Sequence, residues 1–475
     1  MHRVITLTIC VAAVAFACPV ASAQVPQLAP PFNSSYAISV IGAPAGVPPR
    51  FGGLTMKAGT TDKLLLGGEA NGATGALYEV TIARDPTGHV SGLVGTATRY
   101  ADAAYNDGGV AYGPGGVLFL ARWPVNELGQ TKPGSAVTDK ITSLAPLGIE
   151  SSLASLRFVP PGIPGSGRLK LASYSGGAWY DAGVTPDGSG TYNLVSPREV
   201  TTSRLPGGPE GFAYVSRGSA QFSKPSLLVS EYAADSVAAY EVNANGDPIV
   251  STRRTVITGL DGAEGAFIDP VSGDFLFSTF GATNQLVVVR GFSKPPPPPV
   301  VGKKVNAFPA SGTVKIKLPG RKGFRTLKAG QQIPVGTTVD TTKGRVTLVA
   351  AADATGGTAE ADFYDGIFKL GQSKGSKPLT TLTLVQKLSC AGASRASAAA
   401  KKKKKRRLWG NGSGRFRTKG KHSAATVLGT KWLVEDRCTS TLTRVARGRV
   451  SVRDFAKRKT VTVQAPKKYV AKQRR

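Results

Sequence analysis

A repeat in the first half of the chain constrains the fold more than any other feature of the sequence. Its period is about fifty residues, which predicts a ring of small sheets or a solenoid. Each unit begins with a short, usually glycine-containing segment that leads into an apolar strand, at 51–54, 107–110, 154–158, 210–213 and 264–267. A turn and a second apolar strand follow, at 63–66, 117–120, 169–172, 227–230 and 275–278.

The turns between these strands favour an all-β fold. Gly115-Gly116, Asp187-Gly188, Asn245-Gly246 and Ser272-Gly273 stand where a hairpin needs a positive φ. No stretch of this half has a sustained helical period. Three or four short strands per unit are typical of a propeller blade, so residues 30–293 are predicted to form a β-propeller. Five units are clear, and 36–40 could close the ring as an added strand or a sixth blade.

The repeat domain resembles the bacterial six-bladed propellers of the NHL, regucalcin-like and gluconolactonase-like group. The resemblance rests on the Glu-Gly blade starts at 209–212 and 263–266 and on second strands such as 227–232. It implies a ring of six blades and a divalent ion held in the central channel by acidic and Asn ligands.

The proline run 295–299 separates two halves of different charge and predicts a semi-rigid linker at 294–303. Residues 1–300 carry 20 Lys and Arg against 21 Asp and Glu, whereas residues 301–475 carry 40 against 8. Apolar and polar residues alternate through most of the second half, with glycines at strand ends. This pattern predicts a second, strongly basic domain at 304–475 with a β-sandwich or β-roll fold.

Two segments of the basic domain resemble the FecR domain. The first is a strand followed by the glycine-containing motif at 327–341. The second is a later pair of strands at 429–435 and 448–452. The likeness covers roughly 305–350 and 425–470, and the insert from about 371 to 420 departs from it. It implies an extracytoplasmic β-domain only. Iron-uptake signalling is not implied, since the chain lacks the membrane anchor of the signalling members.

The N-terminus predicts export. Arg3 precedes an apolar stretch that ends at Ala21-Ser22-Ala23, so 1–23 is expected to be a signal peptide. No later stretch is apolar enough for a membrane helix. Of the four cysteines, Cys390 and Cys438 would remain, and an oxidising compartment favours one disulfide between them. The predicted location is secreted or at the cell surface.

Acidic residues at the blade starts are the candidate ligands for a metal. Residues at these positions point toward the channel of a propeller, so Asp107, Glu210 and Glu264, with Asn106 adjacent, form a predicted site for a hard cation such as Ca²⁺. The alternative is that each acid bonds a neighbouring blade and locks the ring. A second set of equivalent residues could line one mouth of the channel: Glu69, Arg122, Glu231 and Thr279.

The strongest charge feature is a basic run within a predicted disordered insert around 391–421. An anionic surface polymer or glycan is the predicted partner, and nucleic acid is disfavoured by export. The predicted contacts are Lys401, Lys402, Lys403, Lys404, Lys405, Arg406, Arg407, Arg415 and Arg417. Trp409 and Phe416 would be the stacking candidates for a nucleic acid.

No catalytic triad is evident, because His89 and His422 would be the only histidines of the mature chain. The predicted function is therefore a non-enzymatic binding or scaffold protein. Its basic domain would dock on an anionic polymer while the propeller presents a site for a protein or small molecule. The alternative is a metal-dependent, lactonase-like propeller hydrolase that uses the channel ion as a Lewis acid.

Overall fold

The structure, a computed structural model, describes residues 25–294, 296–328, 330–353, 358–388, 390, 405–412, 414–427 and 429–473. These residues form strands and no α-helix, which confirms the all-β class. None of them builds a helix long and apolar enough to cross a membrane. Short 3-10 turns lie at Phe32–Ser34, Pro114–Gly116, Ala145–Leu147, Ser175–Gly177, Thr201–Ser203, Tyr232–Ala234 and Val250–Thr252.

The first half is a propeller of five blades. Two N-terminal strands, β1 (Gln27–Leu28) and β2 (Ala37–Gly42), precede blade 1. Blade 1 contains β3 (Leu54–Met56), β4 (Lys63–Gly68), β5 (Ala76–Arg84) and β6 (Val90–Asp102). Blade 2 contains β7 (Asn106–Tyr112), β8 (Leu118–Arg122), β9 (Glu127–Thr131) and β10 (Lys140–Ser143). Blade 3 contains β11 (Leu153–Phe158), β12 (Leu169–Ser173), β13 (Trp179–Pro186) and β14 (Tyr192–Glu199).

Blades 4 and 5 are completed by the N-terminal strands. Blade 4 consists of β15 (Pro209–Val215), β16 (Ser226–Glu231), β17 (Ser236–Glu241) and β18 (Arg254–Thr258), with β1 paired to β18. Blade 5 consists of β19 (Ala263–Ile268), β20 (Phe275–Thr279) and β21 (Leu286–Arg290), with β2 paired antiparallel to β21. The segment 36–40 is therefore an added strand, and the six blades implied by the resemblance are not present.

The ring closes between blades 5 and 1 through an ion pair and a hydrogen bond as well as apolar contacts. Arg84 bonds Asp269, which is fully buried, at 2.7 Å. His89 Nδ1 lies 2.6 Å from a carboxylate oxygen of the buried Asp274. Because the partners belong to the first and last blades, these contacts hold the ends of the ring together.

Five apolar clusters fill the five interfaces between neighbouring blades. Alternate residues of the second strands face opposite blades, as a strand requires. Leu118 packs on blade 1 and Phe119 on blade 3, while Leu227 packs on blade 3 and Leu228 on blade 5. These strands read as continuous apolar runs because both of their faces are buried.

The basic half forms one continuous fifteen-stranded sheet that curls into a nearly closed barrel. Its interior is a single apolar cluster that includes Phe363, Phe416 and Trp432. The strands are β22 (Lys304–Lys317), β23 (Arg325–Thr326), β24 (Gln331–Pro334), β25 (Thr338–Ala351), β26 (Thr358–Tyr364), β27 (Ile367–Gln372), β28 (Thr380–Leu384), β29 (Lys405–Gly412), β30 (Phe416–Lys419), β31 (Ser423–Val427), β32 (Thr430–Arg437), β33 (Ser440–Arg447), β34 (Arg449–Asp454), β35 (Thr460–Gln464) and β36 (Lys468–Lys472).

Cys390 and Cys438 form the predicted disulfide, with Cα atoms 5.5 Å apart. One guanidinium joins the two halves of the protein. Arg217, which follows β15, donates to Thr347 at 2.6 Å and to Glu360 at 2.7 Å, and it lies over the ring of Phe308.

Candidate cation site in the propeller

Three acidic side chains meet at one end of the propeller axis. Asp107, Glu210 and Glu264 are each the second residue of an innermost strand, β7, β15 and β19. In each strand a register shift spans the acid, which marks a bulge that changes the direction of the chain. One carboxylate oxygen from each lies within 4.8 Å of those of the other two. All three side chains are buried.

Burial and mutual repulsion favour the protonated form of these carboxyls. Burial raises the pKa of Asp107 to about 7, because desolvation penalises the charged form. Burial, and then the negative charge of Asp107, raise the pKa of Glu210 well above its usual range. Burial raises the pKa of Glu264 in the same way, and the charge of Glu210 adds to it.

Four buried oxygens at this place lack hydrogen-bond partners. They are Asp107 Oδ2, Glu210 Oε2, Glu264 Oε1 and Asn71 Oδ1. Asn71 belongs to the site because its side chain lines the same cavity as the two glutamates. Unpartnered buried oxygens are costly, and three carboxylates with one amide oxygen are the ligands that a hard cation prefers. The donor set therefore fits a divalent ion such as Ca²⁺.

Asn106, the fourth predicted ligand, has a different environment. Its Nδ2 donates to Ala103 O at 2.9 Å and to Gly68 O at 3.3 Å. Its Oδ1 is also buried without a hydrogen-bond partner, and it occupies the space that a side chain at Gly52 or Gly67 of blade 1 would need. Asn106 thus fills the place where blade 1 would otherwise contribute an acid, and its role as a ligand stays a prediction.

The axis is closed just below the acids. A side chain at Gly211 would lie 2.3 Å from the backbone nitrogen of Ala266, so the inner strands approach more closely than any larger residue allows. Further along, Arg157 of blade 3 donates to Phe212 O of blade 4 at 2.6 Å and to Ala266 O of blade 5. The acids therefore form the floor of a cavity and not the wall of an open tunnel.

Aromatic side chains form the walls above this floor. In blades 2 to 5 the residue that follows the second strand is aromatic, and these residues are Trp123, Tyr174, Tyr232 and Phe280. Tyr174 and Tyr232 meet edge to face at 6.1 Å, and Tyr232 and Phe280 meet in the same way at 6.1 Å. With Arg50 and Asn71 they enclose a cavity of about 330 Å³ above Glu210 and Glu264.

Of the residues predicted to line this mouth, Arg122, Glu231 and Thr279 are one position too early in the chain. Glu69 does follow the second strand of its blade, but it is not among the residues that line the cavity. Glu231 is fully buried and accepts hydrogen bonds from Ser236, Tyr240 and Arg253. Arg122 pairs with Glu127, and Thr279 Oγ1 donates to Thr283 O. These side chains brace turns inside their blades. An aromatic residue follows the second strand in four of the five blades, and this repeat was the sequence signal that could have identified the cavity wall.

No protein-family model matches the sequence, and no curated protein matches it. Similar solved structures include a glucose dehydrogenase, 13% identical over 52% of this chain and 84% of that one, with a TM-score of 0.31. The PQQ-bound aldose sugar dehydrogenase of Streptomyces coelicolor is 11% identical over 53% and 83% of the chains, with a TM-score of 0.30. A candidate 6-phosphogluconolactonase of Bacteroides uniformis is 12% identical over 65% and 82%, with a TM-score of 0.30. Likeness at this level carries no argument about activity.

Proposed function

We propose that the propeller is a divalent-cation-dependent hydrolase of a small cyclic ester, with the cation held by Asp107, Glu210, Glu264 and Asn71. The observation that supports it is the group of four buried, unpartnered oxygens at the floor of an aromatic cavity. When bound, a divalent cation supplies Lewis-acid polarisation of an ester carbonyl. The proposal takes up the enzymatic alternative predicted from the sequence.

The other side chains of the cavity would bind and orient the substrate. Trp123, Tyr232 and Phe280 present apolar ring surface to a cyclic substrate and exclude water from its faces. Arg50 contributes fixed positive charge at the rim, where it can bind an oxygen-rich or anionic end of the substrate. The cavity volume of about 330 Å³ suits a single small molecule and not a polymer segment.

The test compares hydrolysis of a sugar δ-lactone by the protein after chelation and after reloading with Ca²⁺. We expect turnover only in the reloaded protein and a loss of at least 100-fold in E264Q, since removing a charge-stabilising group costs about that much. E241Q is the matched control, because Glu241 lies in the neighbouring blade 4, on β17, and pairs with Lys224 away from the three acids. Equal turnover in the chelated and reloaded protein would overturn the proposal.

The binding-protein function predicted from the sequence uses the same site without turnover. It would be supported by a lactone or sugar that stabilises the Ca²⁺-loaded protein and is recovered unchanged. In that case the cation site stands and only the hydrolytic step is rejected.

We also propose that the protein is exported. Residues 1–24 lie outside the described part of the chain, so support comes from the disulfide between Cys390 and Cys438, because such bonds persist in oxidising compartments. Mass spectrometry of the protein from an extracytoplasmic fraction should find an N-terminus at Gln24. An intact Met1 in that fraction would contradict cleavage.

A further inference from the structure

We propose a second binding site in this protein, an acidic-polysaccharide site on the outer face of β32, β33 and β36. Four cations form it, and we call them the cationic face: Lys431, Arg444, Arg447 and Lys468. All four side chains are exposed. The site is separate from the propeller cavity and does not depend on the function proposed for it.

The cationic face places like charges directly opposite one another. Lys431 on β32 is the cross-strand partner of Arg447 on β33, and Arg444 on β33 is the partner of Lys468 on β36. Like charges at such positions are destabilising. Within the residues that the structure describes, none of the four forms a salt bridge. An arrangement that costs stability and lacks counter-charges is suited to an external polyanion.

Stacked aromatic rings hold one edge of this face in place. Arg345 lies 4.3 Å from the ring centre of Tyr364, and Tyr364 stacks on Trp409 with ring centres 6.2 Å apart and planes 7° apart. Lys431 Nζ lies 6.0 Å from the Trp409 ring, and Arg447 donates to Asn411 at 3.0 Å. Neighbouring strands are about 4.8 Å apart, so the backbones that carry the two charges of each cross-strand pair are roughly 5 Å apart.

The same aromatic stack favours a glycan over a nucleic acid as the ligand of the cationic face. Single-stranded nucleic acids bind by stacking bases on free aromatic faces. Trp409 stacks on Tyr364 and lies 6.0 Å from Lys431 Nζ, and Phe416 is fully buried in the barrel core. These aromatic rings are therefore already engaged within the protein, and the site offers mainly donors and charge. Carboxylate and sulfate groups of an acidic polysaccharide need only charge and donors.

The predicted basic run lies beside this face but is arranged differently. Lys401 to Lys404 fall outside the described residues. Lys405 and Arg406 pair with Glu435 and Asp436 of β32, and Arg407 pairs with Asp365 at 2.6 Å. Exposed Arg415 and half-buried Arg417 flank or lie in β30. The described end of the run is thus a strand whose cations pair with acids, whereas the four cations of the cationic face form no salt bridge with a described residue.

The test measures binding of the full chain to heparin, and to single-stranded DNA in a parallel arm, over a range of salt concentrations. We expect R444S/K468S to lower heparin affinity by at least about tenfold at low salt and to reduce the salt slope by about two, one for each lost cation. R321S/K322S is the matched control, since it removes two exposed charges from the turn after β22. It should change affinity by less than about threefold.

Any of four other results would overturn the proposal. Equal losses of heparin affinity in R444S/K468S and R321S/K322S would mean that net charge alone binds heparin. A loss of heparin affinity only after replacing Lys401 to Lys404 with Ser would move the site to that run. Tighter binding of DNA than of heparin would assign the face to nucleic acid. A lower melting temperature of R444S/K468S would contradict the repulsion argument, which expects an unchanged or higher value.

Discussion

Glu210 and Glu264 occupy the same position in neighbouring blades, and each keeps one buried carboxylate oxygen without a hydrogen-bond partner. Each acid precedes a glycine whose backbone packs against another blade, so the two carboxylates are fixed by the closest contacts of the ring. Asp107 repeats the arrangement in blade 2. The cation site is therefore built into the part of the propeller that can relax least.

The acidic floor makes stability depend on pH. An unfolded Asp titrates near pH 4, whereas burial raises the pKa of Asp107 to about 7 in the folded protein. Between these values the folded state holds a proton that the unfolded state has released, so the free energy of unfolding falls as pH rises. We expect the cation-free protein to lose roughly 1–4 kcal/mol between pH 4 and 7 from this group.

Denaturant unfolding with and without Ca²⁺, repeated across this pH range, measures the predicted pH dependence of the free energy of unfolding. The pH-dependent loss should disappear in a D107N/E210Q/E264Q variant, and in the wild type Ca²⁺ should stabilise more at pH 8 than at pH 5. An identical pH profile for the wild type and the variant would show that the acids do not titrate in this range.

The aromatic wall should control substrate binding without affecting the cation. We expect F280A to weaken lactone binding by about tenfold, since a buried aromatic ring contributes roughly 1.5 kcal/mol or more. Its Ca²⁺ affinity should stay within about twofold of the wild-type value. Calorimetry measures both quantities. A parallel loss of Ca²⁺ and lactone binding would mean that Phe280 supports the floor and not the wall.

Arg217 should hold the propeller and the barrel together. Burial raises the pKa of Glu360, and Arg217 provides the opposing charge. R217A leaves that acid without its partner, and because the pair is only partly buried, we expect a cost below the roughly 3–5 kcal/mol of a fully buried pair. We expect faster proteolysis in the 294–303 linker and a larger radius of gyration. R217A/E360Q should recover part of the loss, and unchanged linker cleavage in R217A would contradict the role.

The disulfide should stabilise the barrel alone. It joins residues 48 positions apart, and closing a loop of that size is worth about 4 kcal/mol in the chain-entropy model. C390S/C438S should lower the melting transition of the barrel and leave that of the propeller in place. Calorimetry resolves the two transitions, and a shift of both would show that the two halves unfold together.

Strand pattern and repeat spacing were enough to predict the propeller and the convergence of Asp107, Glu210 and Glu264, because equivalent strand positions face the axis in every blade. The blade count was not predictable, since β2 completes blade 5 through long-range pairing. The cavity wall was missed because Tyr232 and Phe280 follow the strands at the point where the chain turns. The ion pairs of Lys405 and Arg406 were missed because their partners, on β32, are about thirty residues away.

Calorimetric titration of Ca²⁺ into the chelated protein at neutral pH tests the central claim most directly. We expect one ion per chain and a loss of at least 100-fold in affinity in E210Q/E264Q, because the variant removes two of the three carboxylate ligands. E199Q/E241Q, with both changes away from the axis, should bind as the wild type does. Absence of binding in the wild type, or equal binding in E210Q/E264Q, would contradict the cation site.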